Sequence, residues 1–396
     1  MNRRRTSVVA LAVAALAAGI GATPAPVQAG GVRAAAPTPN PTPTVSPTPS
    51  PTQSDGTLQI LTYRGYAEYG GVSSRVNWVG SFEKETGCRI ARLETVQTAE
   101  EMATRVAQRP YDVISAGPAL LGSLVENHQA QPVDPAKIDG WQDIPKRFRD
   151  LATVSGKAYG VPYLWGYHEF LYDASRVKGG DVEEAFTSER SALRDSPMTI
   201  ADAALALGDD EPYELGKDRL GDAVRLLEQV KGRTYWQNPI DLVKGFATGD
   251  LDYAQATPYY RMLLRKAGLP VKALDAKRTT GWVDSWVLGA NLPDVTCAYR
   301  WINWMTQAGT QRDAAAWTGL APANAKACKG RARSVCEMYG AGPAPTGAQA
   351  KEQAKEQDKR LDRVVFAVRP PGGCKGGAAK CVPYTTWTER WGDLVP

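Results

Sequence analysis

Between residues 57 and 116 the apolar and polar positions alternate between two periods. Leu58-Gln59-Ile60-Leu61-Thr62-Tyr63 reads as a buried strand, and Val76 to Glu85 as a helix carrying Val76, Val79 and Phe82 on one face. Cys88-Arg89-Ile90-Ala91-Arg92-Leu93 alternates as a second strand. Thr98 stands where an N-cap belongs, before a helix through Gln108, with Glu101 completing a capping box. Tyr111 to Ser115 reads as a third strand. Strand, helix, strand, helix, strand predicts a parallel sheet covered by helices, the α/β class. Such sheets place ligands beyond the carboxyl ends of their strands, and the spacing puts Tyr66, Glu68, Tyr69 and Ser115 there. A second α/β region follows Tyr163-Leu164-Trp165-Gly166. It contains an amphipathic helix from Asp218 to Lys231, with Leu220, Val224, Leu227 and Val230 on one stripe, then a strand from Val283 to Leu288. A helix from Cys297 to Gln307 packs Trp301 and Trp304 into core and surface groove.

Before residue 57 the pattern is of another kind. Arg3, Arg4 and Arg5 precede an apolar run from Val8 to Ile20 and a small-x-small site at Val27-Gln28-Ala29, which predicts an export signal (1–29) cleaved near Ala29. Thr6-Ser7-Val8 fits a twin-arginine pattern poorly, so the general secretory route is expected. Pro alternates with Thr, Ser, Ala and Asn from 33 to 55, so residues 30–56 read as an extended linker that cannot bury a core. No cysteine follows the cleavage site to carry a lipid anchor, and a secreted, extracytoplasmic protein is expected.

The 396 residues suffice for two domains, and 43% apolar with 22% charged content suits a soluble chain. The net charge of +5 loses three positive charges with the signal peptide, a balance that argues against nucleic acid or an anionic membrane as partner. Six cysteines in an exported chain predict disulfides, with Cys328–Cys336 and Cys374–Cys381 as the easiest local loops among many possible pairings. His128 and His168 are the only histidines and there is no Cys-x-x-Cys, so neither a metal nor another cofactor is expected.

Aromatic rings interleave with acids at Tyr-Arg-Gly-Tyr-Ala-Glu-Tyr (63–69), Tyr-Gly-Val-Pro-Tyr (159–163), Ile-Ala-Asp-Ala-Ala (200–204) and Gly-Trp-Val-Asp-Ser-Trp (281–286). A carboxylate neutralises an ammonium while ring faces cover its carbon chain, adding cation–π attraction of about 0.5 to 2 kcal/mol per contact. Trp282 and Asp284, two apart in a strand, address the same volume. Asp202 reads either as a grip on an ammonium or as the cap of a helix through Ala203 to Leu207. Tyr66 and Tyr69 either face a ligand or cover the sheet edge. Glu68 is a binding acid or a solvated loop charge, and Trp165 lines a cleft or packs a hinge. Asp250-Leu251-Asp252, after Gly249, and Asp209-Asp210-Glu211 read as charged loops. A hydrolase with two acids and tryptophan platforms is the cross-class alternative. The chain lacks Gly-x-Ser-x-Gly and His-Glu-x-x-His, and it is read as no enzyme.

Taken in order, with Phe-Glu-Lys-Glu-Thr-Gly (82–87) and Ala-Pro-Ala-Asn (321–324), these motifs resemble the spermidine/putrescine-binding proteins that feed ABC importers. The likeness runs over roughly 58 to 330, with a weaker echo at 364 to 391. It implies a two-lobed periplasmic-binding-protein fold of class II type, closing over a ligand, with lobe 1 from 57–162 and 280–325 and lobe 2 from 163–279 and 326–396. The chain would cross near 163, near 280 and after about 325. It implies that Tyr66 stands where the family has a packing tryptophan and Tyr69 where it has a tyrosine. Ser115 would fall on the serine of the third strand end, Asp202 on a carboxylate that grips an ammonium, and Trp282 with Asp284 on the other half of the cage. Thr257, Leu205 and Leu320 replace further cage residues, and Tyr259 offers a ring nearby. Cys88 and Cys297 would share the first lobe and pair there. A monomer, a small polyamine-like ligand and an ABC permease partner are implied; a neutral or zwitterionic solute is the alternative.

Overall fold

A computed structural model of the protein describes residues 56–342 other than 72, 75, 293 and 294, then 350–370 and 381–395. The expected signal peptide, nearly all of the linker and Cys374 lie outside them. The alternating and continuous apolar runs form two main sheets. In the first, Thr57–Tyr63 pairs in parallel with Arg89–Val96 on one side and Val113–Ala116 on the other. The helices between them are Val79–Thr86, which buries Val79 and Phe82 and stops at Gly87 (φ 73°), and Ala99–Gln108. Thr98 Oγ1 accepts the N–H of Glu101 at 3.1 Å, and Glu101 Oε2 reaches back to the N–H of Gln97 at 2.7 Å, one residue before the position a capping box prescribes.

The long strand Thr279–Gly289 then lies antiparallel between Val113–Ala116 and Gly160–Tyr167. Ala130–Gln131 and Val364–Phe366 pair with its two ends, and Ala321–Pro322 edges the sheet beside Gly160–Tyr167. The second sheet runs Thr234–Trp236, Ser191–Arg194, Tyr253–Ala256, Glu169–Asp173 and Val271–Ala273. Its core takes Leu220, Val224 and Leu227 from the helix Lys217–Glu228, together with Phe170, Phe186 and Leu193.

The chain passes between the sheets at His168, between Ala273 and Thr279, and at Ala367, whose residue belongs to the second core. The described residues between 326 and 366, expected with the second lobe, pack instead with the first sheet. Val335, Cys336 and Tyr339 enter its core, and Val364–Phe366 pairs with Thr279–Gly281. The physical reason is an aromatic layer in which Trp165 meets Phe148, Tyr339 and Phe366 at centroid distances of 5.3, 5.7 and 5.9 Å.

The Cys88–Cys297 disulfide spans a sequence separation of 209 and ties the entry of Arg89–Val96 to the helix Thr296–Thr306. On the chain-entropy account a loop that long contributes about 5 kcal/mol. Cys328 bonds Cys336, and Cys381 is disulfide-bonded, its expected partner Cys374 lying outside the described residues. Trp301 is fully buried against Phe82 and Trp286. Among the described residues no helix is long and apolar enough to cross a membrane.

Candidate functional site

Side chains alternate across a strand, so Thr280, Trp282 and Asp284 share one face of Thr279–Gly289 while Val283 takes the other. Trp282 lies opposite Gly166, and a Cβ on that glycine would stand 2.8 Å from the indole. Only a glycine leaves room for the ring to lie across the neighbouring strand. The register shifts between Asp284 and Ser285, leaving Tyr163 as an extra residue on the partner strand, a bulge of the kind that re-aims side chains.

Asp284 is 4% exposed. Tyr66 donates its hydroxyl hydrogen to Oδ2, and Trp282 makes a second hydrogen bond to the carboxylate. Tyr66 is held edge-on between Tyr63 and Tyr163, with centroids 5.5 Å away on each side. Its carbonyl accepts the Trp78 indole at 3.0 Å and the Tyr163 hydroxyl at 3.1 Å. Gly117, after the third strand, keeps clear a space in which a Cβ would stand 3.2 Å from Asp284 Oδ1. Burial dominates this environment. It outweighs the hydrogen bonds from Tyr66 and Trp282 and the attraction of Arg194, and pushes the Asp284 carboxyl up from 3.8 to about 6. Burial, reinforced by Asp284, also raises the Tyr63 and Tyr66 hydroxyls well above the ordinary phenol range, so both remain protonated donors.

From the second sheet, Arg194 ends the strand Ser191–Arg194 with its guanidinium carbon 5.4 Å from the centre of the Trp282 ring. The His168 ring stands 5.1 Å from the same indole. Asp202, 2% exposed, lies inside the helix Thr199–Ala206 rather than at its cap. It accepts Thr280 Oγ1 at 2.5 Å and Gln255 Nε2 at 2.9 Å, and lies 3.4 Å from His168 Nδ1. Thr280 gives its one hydroxyl hydrogen to Asp202, so His168 Nδ1, 2.8 Å from Thr280 Oγ1, must carry the proton between them. Nε2 of the same ring is buried and without a hydrogen-bond partner among the described residues.

Of the sequence candidates, the fold brings together Tyr66, Trp282 and Asp284. Asp202 stands beside them on Thr280 but has both oxygens engaged by protein donors. Trp165 is a correction to the cleft-lining reading: it pairs with Val283, hence on the opposite face, 2% exposed, with its indole on the Pro322 carbonyl at 3.1 Å. Ser115 is wholly buried, its hydroxyl shared with Thr62 Oγ1 at 2.8 Å and the N–H of Tyr63 at 3.2 Å, a clip between two strands. Glu68 is half-buried and turns its carbonyl to the N–H groups of Trp78 and Val79 at the start of a helix. Tyr69 is 44% exposed and bonds Glu83. Tyr259 packs its ring on Gly319, where a Cβ would meet it at 2.3 Å, and Thr257 caps the helix Pro258–Lys266. Asp252, in the acidic loop, pairs with Arg176 at 2.6 Å and Arg190 at 3.0 Å. Among the described residues no three His, Cys, Asp or Glu side chains converge to hold a metal ion.

Arg194, His168, Tyr63 and Gly166, which surround Trp282 and Tyr66, are not among the candidates that the sequence pattern marks. Thr280 was within reach, since it continues the two-residue period of Trp282 and Asp284. Arg194 offered no local signal at all.

A family model of bacterial extracellular solute-binding proteins matches residues 77–332. A putrescine/agmatine-binding protein of Pseudomonas aeruginosa is 30% identical over 102 residues, which cover 25% of this chain and 28% of that relative's length. Among solved structures, a putative spermidine/putrescine ABC transporter from Listeria monocytogenes superposes with a TM-score of 0.62 at 18% identity, covering 86% of this chain and 98% of that one. A GABA receptor gives 0.62 at 17% identity, covering 85% and 97%. These neighbours share the two-lobed periplasmic-binding fold.

Proposed function

The chain belongs to the bacterial extracellular solute-binding protein family, and on that premise we propose that it captures a small amine-bearing solute for delivery to an ABC permease. Binding and release, with no bond made or broken, is the work of such a protein. The family placement makes it extracytoplasmic, as its exported N-terminal pattern also predicts.

The observation that carries the ligand class is the buried Asp284 carboxyl. Two hydrogen bonds and a nearby guanidinium leave it at about 6, so its ionised form has not recovered all that it lost on leaving water. A desolvated ammonium supplies that missing charge, and the Tyr66, Tyr63 and Trp282 rings suit the carbon chain behind it. The Pseudomonas relative, described as binding putrescine and agmatine, agrees with an amine.

Calorimetric titration with putrescine, agmatine and simple monoamines tests this. Affinity falls as the pH drops through about 6 and Asp284 takes up a proton. Near that pH binding releases protons, because the bound cation pulls the carboxyl pKa down. Asp284→Asn weakens the best amine at least tenfold, about 1.4 kcal/mol. Wild-type amine affinity in that variant, or a flat profile across the window, overturns the reading.

A further inference from the structure

An amine leaves one charge in this site unused. Arg194 is anchored through its backbone: its N–H meets Gln255 Oε1 at 2.9 Å and its carbonyl accepts Thr199 Oγ1 at 2.8 Å. Its guanidinium, by contrast, makes no hydrogen bond or ion pair with any described residue; it lies over the Trp282 ring and near the Tyr63 and Tyr260 hydroxyls. It is near enough to pull on the Asp284 carboxyl, yet no ion pair joins the two. Two opposite charges, carried by different sheets and set against one indole, thus remain apart where the sheets meet.

We propose that the solute bears a carboxylate as well as an amine, an ω-amino acid whose ammonium meets Asp284 and whose carboxylate is gripped by Arg194 across the Trp282 face. This rests on the reading of Asp284 as the ammonium site. A guanidinium presents parallel N–H groups that match a carboxylate in two places, and a ring beneath it holds its plane. The second ammonium of a diamine meets the fixed positive charge of Arg194 instead and is repelled.

The test is calorimetric titration of wild type, Arg194→Gln and Asp284→Asn with probes matched in chain length: 4-aminobutanoate against 1,4-diaminobutane, and 6-aminohexanoate against 1,6-diaminohexane. Wild type should bind one of the amino acids at least tenfold more tightly than its matched diamine. Arg194→Gln should weaken the amino acid at least tenfold and strengthen the diamine, whereas Asp284→Asn weakens both. Arg194→Lys, which keeps the charge and loses the fork, should fall between, and unchanged melting curves show that each variant folds. Tighter binding of diamines by wild type, with no change in Arg194→Gln, overturns the carboxylate and leaves the amine at Asp284 standing. Amino acid binding that needs Arg194 and ignores Asp284→Asn does the reverse. No binding of either class by wild type removes both.

Discussion

Asp202 and Asp284 are equally hidden, at 2% and 4% exposure, and do opposite things. Asp202 receives Thr280 and Gln255 from strands of the two sheets and neighbours His168 at the passage between them. Asp284 receives Tyr66 and Trp282 and is still held with its carboxyl raised to about 6. A buried acid whose oxygens are filled by the fold serves the fold; one left short of charge is, on the function proposed above, the place for an arriving ammonium. The two are also linked. Gln255 gives its amide hydrogen to Asp202 and takes the N–H of Arg194 on its oxygen, so Asp202 helps set where Arg194 begins.

The largest expected effect tests the fold side of this contrast. Asp202→Ala strands the Thr280 and Gln255 donors, and by the usual cost of breaking a buried polar network should destabilise by about 3 to 5 kcal/mol, read by denaturant unfolding. Asp284→Asn should act in the other direction on the empty protein. Its folded pKa lies above 3.8, so the stability it lends is fully present below that value and disappears as the pH rises through about 6. At pH 7 the variant should therefore unfold later than wild type, by up to roughly 2 to 3 kcal/mol, and lose the downward slope between pH 4 and 6. A variant less stable than wild type at pH 7 would place Asp284 with Asp202 as a fold-stabilising group.

Smaller effects sharpen the comparison. Gly166→Val should displace the Trp282 ring at a cost of about 1 to 3 kcal/mol in stability and weaken ligand binding, since the added atoms meet the ring and Leu320. Tyr66→Phe should cost about 1 kcal/mol or more, lift the Asp284 carboxyl further and move the pH midpoint of binding upward, which a titration series detects. On magnitude, two like charges 5 Å apart at an effective dielectric near 20 repel by roughly 3 kcal/mol, more than a cation–π contact returns. That difference separates a diamine from an amino acid beside Arg194.

Much of the scaffold was legible because it is written locally. The strand from Leu58, the capped helix after Thr98 and the stripe Leu220, Val224, Leu227 each carry their own period, and the structure shifts only their ends. Trp282 and Asp284 were legible for the same reason. Trp165 was not, because which face it takes depends on its register opposite Val283, a pairing with a strand more than a hundred residues away in sequence. The place of Val364–Phe366 depends likewise on a parallel pairing with Thr279–Gly281. Arg194 is an ordinary arginine after a short strand, and nothing near it in sequence foretells an indole and a carboxylate contributed by another sheet.

The row Tyr167, Gly281, Phe366 places three strands side by side where each chain leaves the first sheet. Backbone bonds from His168 to Thr280 at 2.8 Å and from Ala367 to Gly281 at 2.7 Å lace it together. Thr280 stands next to that row, whereas Asp284 stands three residues beyond it, roughly 10 Å along the strand. Any relative rotation of the two sheets about the row would carry Asp284 farther than Thr280, so the proposed solute contact is the one most exposed to such a movement.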